Sequence, residues 1–347
     1  MISQYGNLYG EEISSIVDWG DKAKLEVTRN KADKAREFNS IEMHGDLVLK
    51  ASLNEQGNVL INNEIDWYDT VATVDKEFVV SRPKHWPSKG EHSSLVMTKV
   101  TGTPVYEFWP LLDAENRAFV LARAFDLMNK LHSLTFMDVA TEIIIADVKK
   151  EAFEKLVKRY DEIKDVISSF GNISVVNGYE LKFKDPYEVF EKLSNILVTH
   201  YRAYKTQYSL IHGDMQMSNT MIDPDTMKVS IIDPRGYFGS TKLYGLADYD
   251  IAKMLYSISG YDLFNYSHTF HISYLGRNEL DFVMPSMDVT GCDEVLKSNC
   301  KPIHSIWLAV IWLGLAGYIK NDPVKSLCAH YSGMLLANQI FEDLEIH

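Results

Sequence analysis

The chain has 347 residues, enough for two domains or one large two-lobed one. Its 46% hydrophobic and 24% charged content is that of a globular protein, neither disordered nor fibrous. A net charge of −13 argues against a nucleic-acid surface, which needs clustered Lys and Arg, and against a polybasic membrane anchor.

The opening residues, MISQYGNLYGEEISS, have no basic start and no apolar core, so no signal peptide is expected. The longest apolar run, 306–319, contains Gly314 and Gly317 and is short for a membrane span. It predicts a buried core helix and no membrane insertion. Cys292, Cys300 and Cys328 are widely spaced, odd in number and form no CxxC unit, which predicts neither a zinc site nor a disulfide framework. A reducing cytoplasm is the expected compartment.

In chain order, 24–30 and 40–44 have strand character, and 46–49, just before Lys50, is a clearer strand. Residues 63–74 predict a helix, and 78–81 and 94–100 are again extended. After Gly102 the pattern turns helical. Residues 113–132 space Leu121, Phe125, Met128 and Leu131 along one face, with Asp113 as N-cap. A second helix is expected at 149–168, a third at 186–204, and the last two at 303–320 and 325–344. Between them 208–233 is polar and β-like. A β-rich front, a short joint and a helical rear containing one hairpin predict a two-lobed α+β fold.

The chemistry is concentrated in 209–239, SLIHGDMQMSNTMIDPDTMKVSIIDPRGYFG. His212-Gly213-Asp214 is followed five residues on by Asn219, and fourteen further on by Asp233 at a strand end. This is an H-x-D-x-x-x-x-N arrangement with a second acid. Phosphoryl transfer to a hydroxyl needs a proton acceptor, for which Asp214 is the candidate. It also needs hard oxygen ligands for Mg²⁺, which Asn219 and Asp233 can supply. Residues 220–222 and 229–232 predict a hairpin turning at Asp223-Pro224-Asp225, so the three side chains emerge at one end. A second His-Gly-Asp, at 44–46, lacks the Asn and the strand-end acid and predicts only a turn between two strands.

With HGD-x4-N and Asp233-Pro234-Arg235-Gly236 in view, the segment resembles the aminoglycoside phosphotransferase and choline kinase family. It is most similar to a branch with HGDxxxSN and IDPRG motifs associated with capsular or surface-polysaccharide gene sets. The likeness runs from 209 to 262 and includes Tyr249-Asp250-Ile251-Ala252-Lys253, where the resemblance implies that Asp250 braces the catalytic loop. It implies a protein-kinase-like fold with an N-lobe at 1–100 and a C-lobe at 101–347. It also implies ATP and Mg²⁺ as cofactors and a small-molecule hydroxyl acceptor. Residues 95–102, LVMTKVTG, resemble the interlobe hinge, which puts adenine contacts at Met97, Thr98 and Lys99. MNKLHSL at 128–134 resembles the end of the following helix, where His132 is expected in the core. Lys50 is the expected phosphate anchor and Glu64 its partner.

One departure stands out. KADKAREFN, ahead of Ser40, has no glycine, so phosphate contact is expected from backbone near Asn39 and Ser40 or from basic side chains there. His212 is grouped with Asp214 and Asn219 as catalytic machinery. On the acceptor side, Arg235, Tyr237, Tyr261 and Asp262 are the candidates, within a run of ten aromatic residues from Tyr237 to Tyr274. Arg235 points to an acceptor bearing hydroxyls or an anionic group. A sugar, polyol or related metabolite is the expected acceptor, ahead of choline, an amino alcohol or an aminoglycoside. A protein kinase is disfavoured by the lack of DFG and APE motifs. An inactive kinase-like binding module is the rival from another class, and the presence of Asp214, Asn219 and Asp233 speaks against it.

Overall fold

Strand β1 (Asn39–His44) and strand β2 (Leu47–Ser52) form an antiparallel hairpin, His44 opposite Leu47, turned at Gly45-Asp46 with Gly45 at φ +58°. The isolated His-Gly-Asp is thus the turn its surroundings predict. The computed structural model describes residues 38–75, 84–86, 93–204, 206–266, 270–276 and 278–345. The strands expected at 24–30 and 78–81, and 31–37 of the glycine-free stretch, lie outside these residues.

Helix α1 (Glu55–Val74) follows, capped by Asn54, whose Oδ1 accepts from the Gly57 N–H at 2.9 Å. It begins eight residues before the expected start at 63, because the cap precedes a polar first turn that carries little apolar signal. Strands β3 (Lys84–Trp86) and β4 (Ser94–Thr98) complete a sheet of order β1-β2-β4-β3. Alternation along β2 puts Lys50 and Ser52 on its buried face.

Strand β5 (Thr103–Pro104) leads into the rear. Helix α2 (Ala114–Leu134) is capped as expected by Asp113, which accepts from the Asn116 N–H at 2.9 Å. The single helix expected at 149–168 is replaced by three pieces. Helix α3 (Thr141–Lys149) runs through a π-turn (Lys150–Glu154) into α4 (Lys155–Asp161), and after a break comes α5 (Lys164–Ser169). The π-turn lets Asp147 and Glu151 both face 239–241. Asp147 accepts from the Ser240 N–H at 2.6 Å and Glu151 from the Gly239 N–H at 3.2 Å. Apolar periodicity does not encode such tertiary bonds.

Strands β6 (Val175–Val176) and β7 (Tyr179–Glu180) precede helix α6 (Pro186–Ala203) and strand β8 (Tyr208–Leu210). Strands β9 (Thr220–Ile222) and β10 (Val229–Ile231) are the expected hairpin, and β5 pairs with β9 on the other side. Helices α7 (Ala247–Ile258) and α8 (Tyr261–Tyr266) come next. The rear holds more β-structure than the one expected hairpin: β11 (His271–Gly276) and β12 (Glu279–Val283) join β6 and β7 in a second four-stranded sheet. After α9 (Asp293–Asn299), helices α10 (Pro302–Tyr318) and α11 (Pro323–Asp343) close the chain. Helix α10 is buried almost all round, the fate expected of the 306–319 run. Among the described residues, no single helix is long and apolar enough to cross a membrane.

Two apolar cores result. One gathers α3, α4, α6, α10 and α11 around Trp307 and Leu313. The other joins Ile61 and Trp67 of α1 to Phe125 of α2, and to Met215 and Met217 of the loop before β9. The crossing of α4 and α10 is tight. A Cβ on Gly317 would lie 2.3 Å from the Arg159 carbonyl oxygen, whereas one on Gly314 would meet only side-chain atoms at 3.3–3.4 Å. Gly317→Ala should therefore cost about 1–3 kcal/mol of stability, the usual price of overpacking. Gly314→Ala should cost clearly less, with urea denaturation midpoints giving the comparison.

Candidate active site

The loop 211–219 is held by a buried carboxylate on α7. Asp250 accepts from the His212 N–H at 2.8 Å and the Gly213 N–H at 2.7 Å, and meets His132 Nε2 of α2 at 3.0 Å. This is the bracing position that the resemblance implied. Gly213 sits at φ +79°, with Arg235 Cβ and the Tyr237 carbonyl 3.1 and 3.2 Å from where a Cβ would be, so both conformation and space call for glycine. His212 is fully buried and does not line the cleft. Its Nε2–H donates to the Ile232 carbonyl at 3.0 Å, and its Nδ1 accepts from the Asp214 N–H at 3.3 Å. Burial holds its pKa below the usual value against Asp250 and Asp214, so the ring is neutral at pH 7. His212 ties the loop to β10, and Asp214 alone of the pair faces the cleft.

Asp214 is partly exposed at the cleft floor. Lys253, one turn beyond Asp250 on α7, pairs with Oδ1 at 2.8 Å. The amides of Gln216 and Asn219 donate to Oδ2 at 2.7 and 3.2 Å. Burial would raise this carboxyl's pKa, but the Lys253 ammonium holds it below the usual value, so it is ionised at neutral pH. Asn219 also donates to the Asp214 carbonyl at 2.9 Å, and its own carbonyl accepts from the Ile232 N–H at 2.9 Å, locking the hairpin base.

Across the cleft, the Lys50 ammonium is paired with both Glu64 of α1 and Asp233 at the end of β10. Lys50 and Glu64 are buried, and Asp233 is held at φ +61°, a conformation uncommon for a non-glycine residue. The front and rear of the chain thus meet at one cation. Trp67 of α1 adds a second tie, its Nε1–H donating to the Ile211 carbonyl at 2.8 Å.

These groups share a cleft of about 710 Å³. Phe38, Asn39, Gln56 and Leu60 line its front end, and Lys155, Arg159, Arg235 and several tyrosines its rear. Sequence expectations on the periphery are placed differently. Ser40 lies on β1 with its Oγ 3.5 Å from the Ala51 carbonyl, and the neighbouring Asn39 lines the cleft instead. Met97 is buried in the second core, Thr98 and Lys99 are exposed, and none of the three is in the cleft wall. Asp262 is fully buried: its Oδ2 accepts from Ser257 Oγ–H, and that Oγ accepts from the Met217 N–H at 2.8 Å. It supports the loop from below. Tyr261 lines the cleft, stacked on Tyr256 at 4.3 Å, and Tyr237 lies under the Arg235 guanidinium at 3.9 Å. Arg235 itself is engaged by Glu151 at 2.6 Å and by Tyr249 Oη at 3.1 Å. Lys253 closed the quoted 249–253 run but was given no role there, and Gln216, Lys155 and Arg159 were not singled out. Helical spacing carried the signal for three of them, Lys253 lying three residues after Asp250 and Arg159 four after Lys155.

No protein-family model and no curated protein matches the chain. Solved structures do. The gentamicin complex of APH(2")-IIa superposes with a TM-score of 0.51 at 12% identity, covering 94% of this chain and 99% of that one. Its streptomycin–ATP ternary complex gives 0.51 at 13% over the same shares. This chain has the aminoglycoside phosphotransferase fold. A choline/ethanolamine kinase family protein from Mesorhizobium loti follows at 0.47 and 14%, covering 89% of this chain and 86% of that one. In the phosphotransferase fold of this chain, the acids at 214 and 233 and the lysine at 50 come together from three separate elements.

Asp262 provides a pH test of the loop support. Burial lifts its carboxyl to about 6, so it keeps its proton in the folded state where the unfolded chain, near 3.9, has lost it. Between about pH 4 and 6 the folded state binds more protons, and this group's contribution to stability falls as pH rises. Asp262→Asn preserves an acceptor for Ser257 and has no charge to bury. The Tm of the variant minus that of wild type should therefore rise from pH 4 to pH 7, and a flat difference would refute the assignment.

Proposed function

We propose that this chain is a phosphotransferase that moves the γ-phosphoryl group of ATP, with Mg²⁺, to a hydroxyl of a small molecule. The observation carrying this reading is the convergence of Lys50, Glu64 and Asp233 with Asp214 and Asn219 on one cleft in a phosphotransferase fold. An inactive binding module would have no need for an ionised, cation-paired Asp214 at the floor of that cleft.

Lys50, fixed by two carboxylates, is the anchor for the α- and β-phosphates. Asn39, Gln56 and Leu60 line the same end, where a glycine-rich loop would otherwise cover the nucleotide. The donors suit Mg²⁺, which takes one or two carboxylates together with phosphates and water. Asp233 is the carboxylate, and Asn219, with its NH₂ turned to Asp214, offers its side-chain oxygen. When bound, the ion neutralises charge on the β- and γ-phosphates. The acceptor oxygen forms its bond to γ-phosphorus as the bond to the β–γ bridging oxygen breaks. The hydroxyl proton passes to Asp214, which Lys253, Gln216 and Asn219 hold in place. A sugar, polyol or related metabolite suits the tyrosine-lined rear of the cleft. A place in surface-polysaccharide assembly is supported by the IDPRG-type motif alone.

Asp214→Asn should fold and bind nucleotide, yet lose about 10²–10⁴-fold in turnover. Retention of more than roughly a tenth would remove Asp214 from the role of proton acceptor. By calorimetry, Asp233→Ala should weaken Mg·ATP binding more than Asn219→Ala, since a carboxylate is the stronger hard ligand. Equal affinity in wild type and both variants would count against the two ligand assignments.

A further inference from the structure

Beyond Asp214 the cleft is rich in cations. Helix α4 contributes Lys155 and Arg159, spaced to share a face, and Arg235 and Lys253 complete the wall. Two carboxylates answer these four. Asp214 is paired with Lys253. Glu151, buried behind the wall, is shared by Lys155 at 2.5 Å and Arg235 at 2.6 Å. Arg159 has no carboxylate partner among the described residues. Its Nη1–H donates to the Gly314 carbonyl at 2.5 Å, and its guanidinium lies 5.5 Å from the Tyr318 ring centre.

An excess of cations in a half-buried wall is unfavourable unless a counter-ion completes it. It is more pointed in a chain of net charge −13, where nothing in the composition favours local positive charge. Lys155 registers the imbalance. Burial, reinforced by Arg235 and Arg159, draws its pKa down to about 7 despite the contact with Glu151. A bound anion facing Lys155 and Arg159 would restore its charge. The guanidinium fork of Arg159 matches two oxygens of a carboxylate or phosphate. In the same cleft the half-buried Tyr261, stacked on the buried Tyr256, offers ring surface to a carbon skeleton.

We propose that the acceptor is a hydroxylated small molecule bearing a carboxylate or phosphate, which Arg159 and Lys155 bind while its hydroxyl faces Asp214. This rests on the phosphotransferase reading above. The nucleoside triphosphate donates its γ-phosphoryl to that hydroxyl, the proton goes to Asp214, the nucleoside diphosphate leaves, and the anionic group is unchanged. The same cations disfavour a polycationic aminoglycoside or a quaternary ammonium such as choline, which need acidic or aromatic-cage surroundings.

The test is calorimetry on the full chain with Mg·ADP bound, using gluconate, glucose 6-phosphate, glucose and choline as probes. Gluconate or glucose 6-phosphate should bind at least about tenfold tighter than glucose and choline, the worth of one charge-assisted contact. Whichever of the two is preferred identifies carboxylate or phosphate as the anion. Arg159→Gln should abolish the preference while leaving Mg·ADP affinity intact, which also certifies its fold. If that variant does not fold, Lys155→Gln takes its place. Glucose or choline binding as tightly as the anions, no binding by either anion, or a preference that survives the variant would each overturn the proposal. In those cases normal Mg·ADP binding leaves the phosphotransferase reading standing. Failure of wild type to bind Mg·ADP would strike that reading itself, and the acceptor proposal with it.

Discussion

The buried carboxylate of Asp250 is the constraint on which the site depends. It accepts the backbone N–H groups of His212 and Gly213, donors that would otherwise be left unsatisfied in the interior, and it meets His132 of α2. A buried charge is tolerated only when its oxygens are occupied in this way. Because α7 also carries Lys253, the helix that shapes the loop delivers the cation that keeps Asp214 ionised. Backbone geometry and electrostatics at Asp214 thus have one source. His212, neutral and buried, extends the brace to the carbonyl of Ile232, one residue before Asp233.

The second organising contact is Lys50, which links residues far apart in sequence. It draws Glu64 of α1 and Asp233, just beyond β10, to one ammonium, so the front sheet and the hairpin cannot shift relative to each other without breaking a buried ion pair. Trp67 acts in the same direction through the Ile211 carbonyl, and its ring packs edge-on against His212 at 5.9 Å. The core around Trp67, Phe125 and Met217 therefore runs from α1 through the loop to α2. The cleft is the surface left open between these ties, with its polar groups converging on the floor.

The two ends of the cleft differ in charge. At the front, Lys50 faces two carboxylates, and Asp233 and Asn219 are hard oxygen donors. At the rear, the π-turn after α3 buries Glu151 where it must serve both Lys155 and Arg235, and Arg159 stands beyond its reach. Selectivity in such a site comes as much from the partners it repels as from those it attracts. Tight packing of α4 on α10, with Gly317 against the Arg159 backbone, sets where that guanidinium emerges.

The site was legible in the sequence to the extent that its chemistry is local. Asp214 and Asn219 precede one hairpin and Asp233 follows it, so their spacing alone implied that they share an end, and the strand-then-helix order read with the resemblance implied Lys50 with Glu64. The cap at Asp113 and the apolar run of α10 were equally readable, since each depends on neighbours within a turn or two. What only the tertiary structure decided was the use of each charge. Arg235 is consumed by Glu151 of a π-turn, Asp262 is turned inward to Ser257, and Met97 is packed into a core. Lys155 and Arg159, unmarked by any motif, reach the cleft because helix packing aims them there. A side chain's type and spacing depend on the local chain, but whether its charge is spent or left facing a cleft depends on partners brought close by folding, and no local pattern records them.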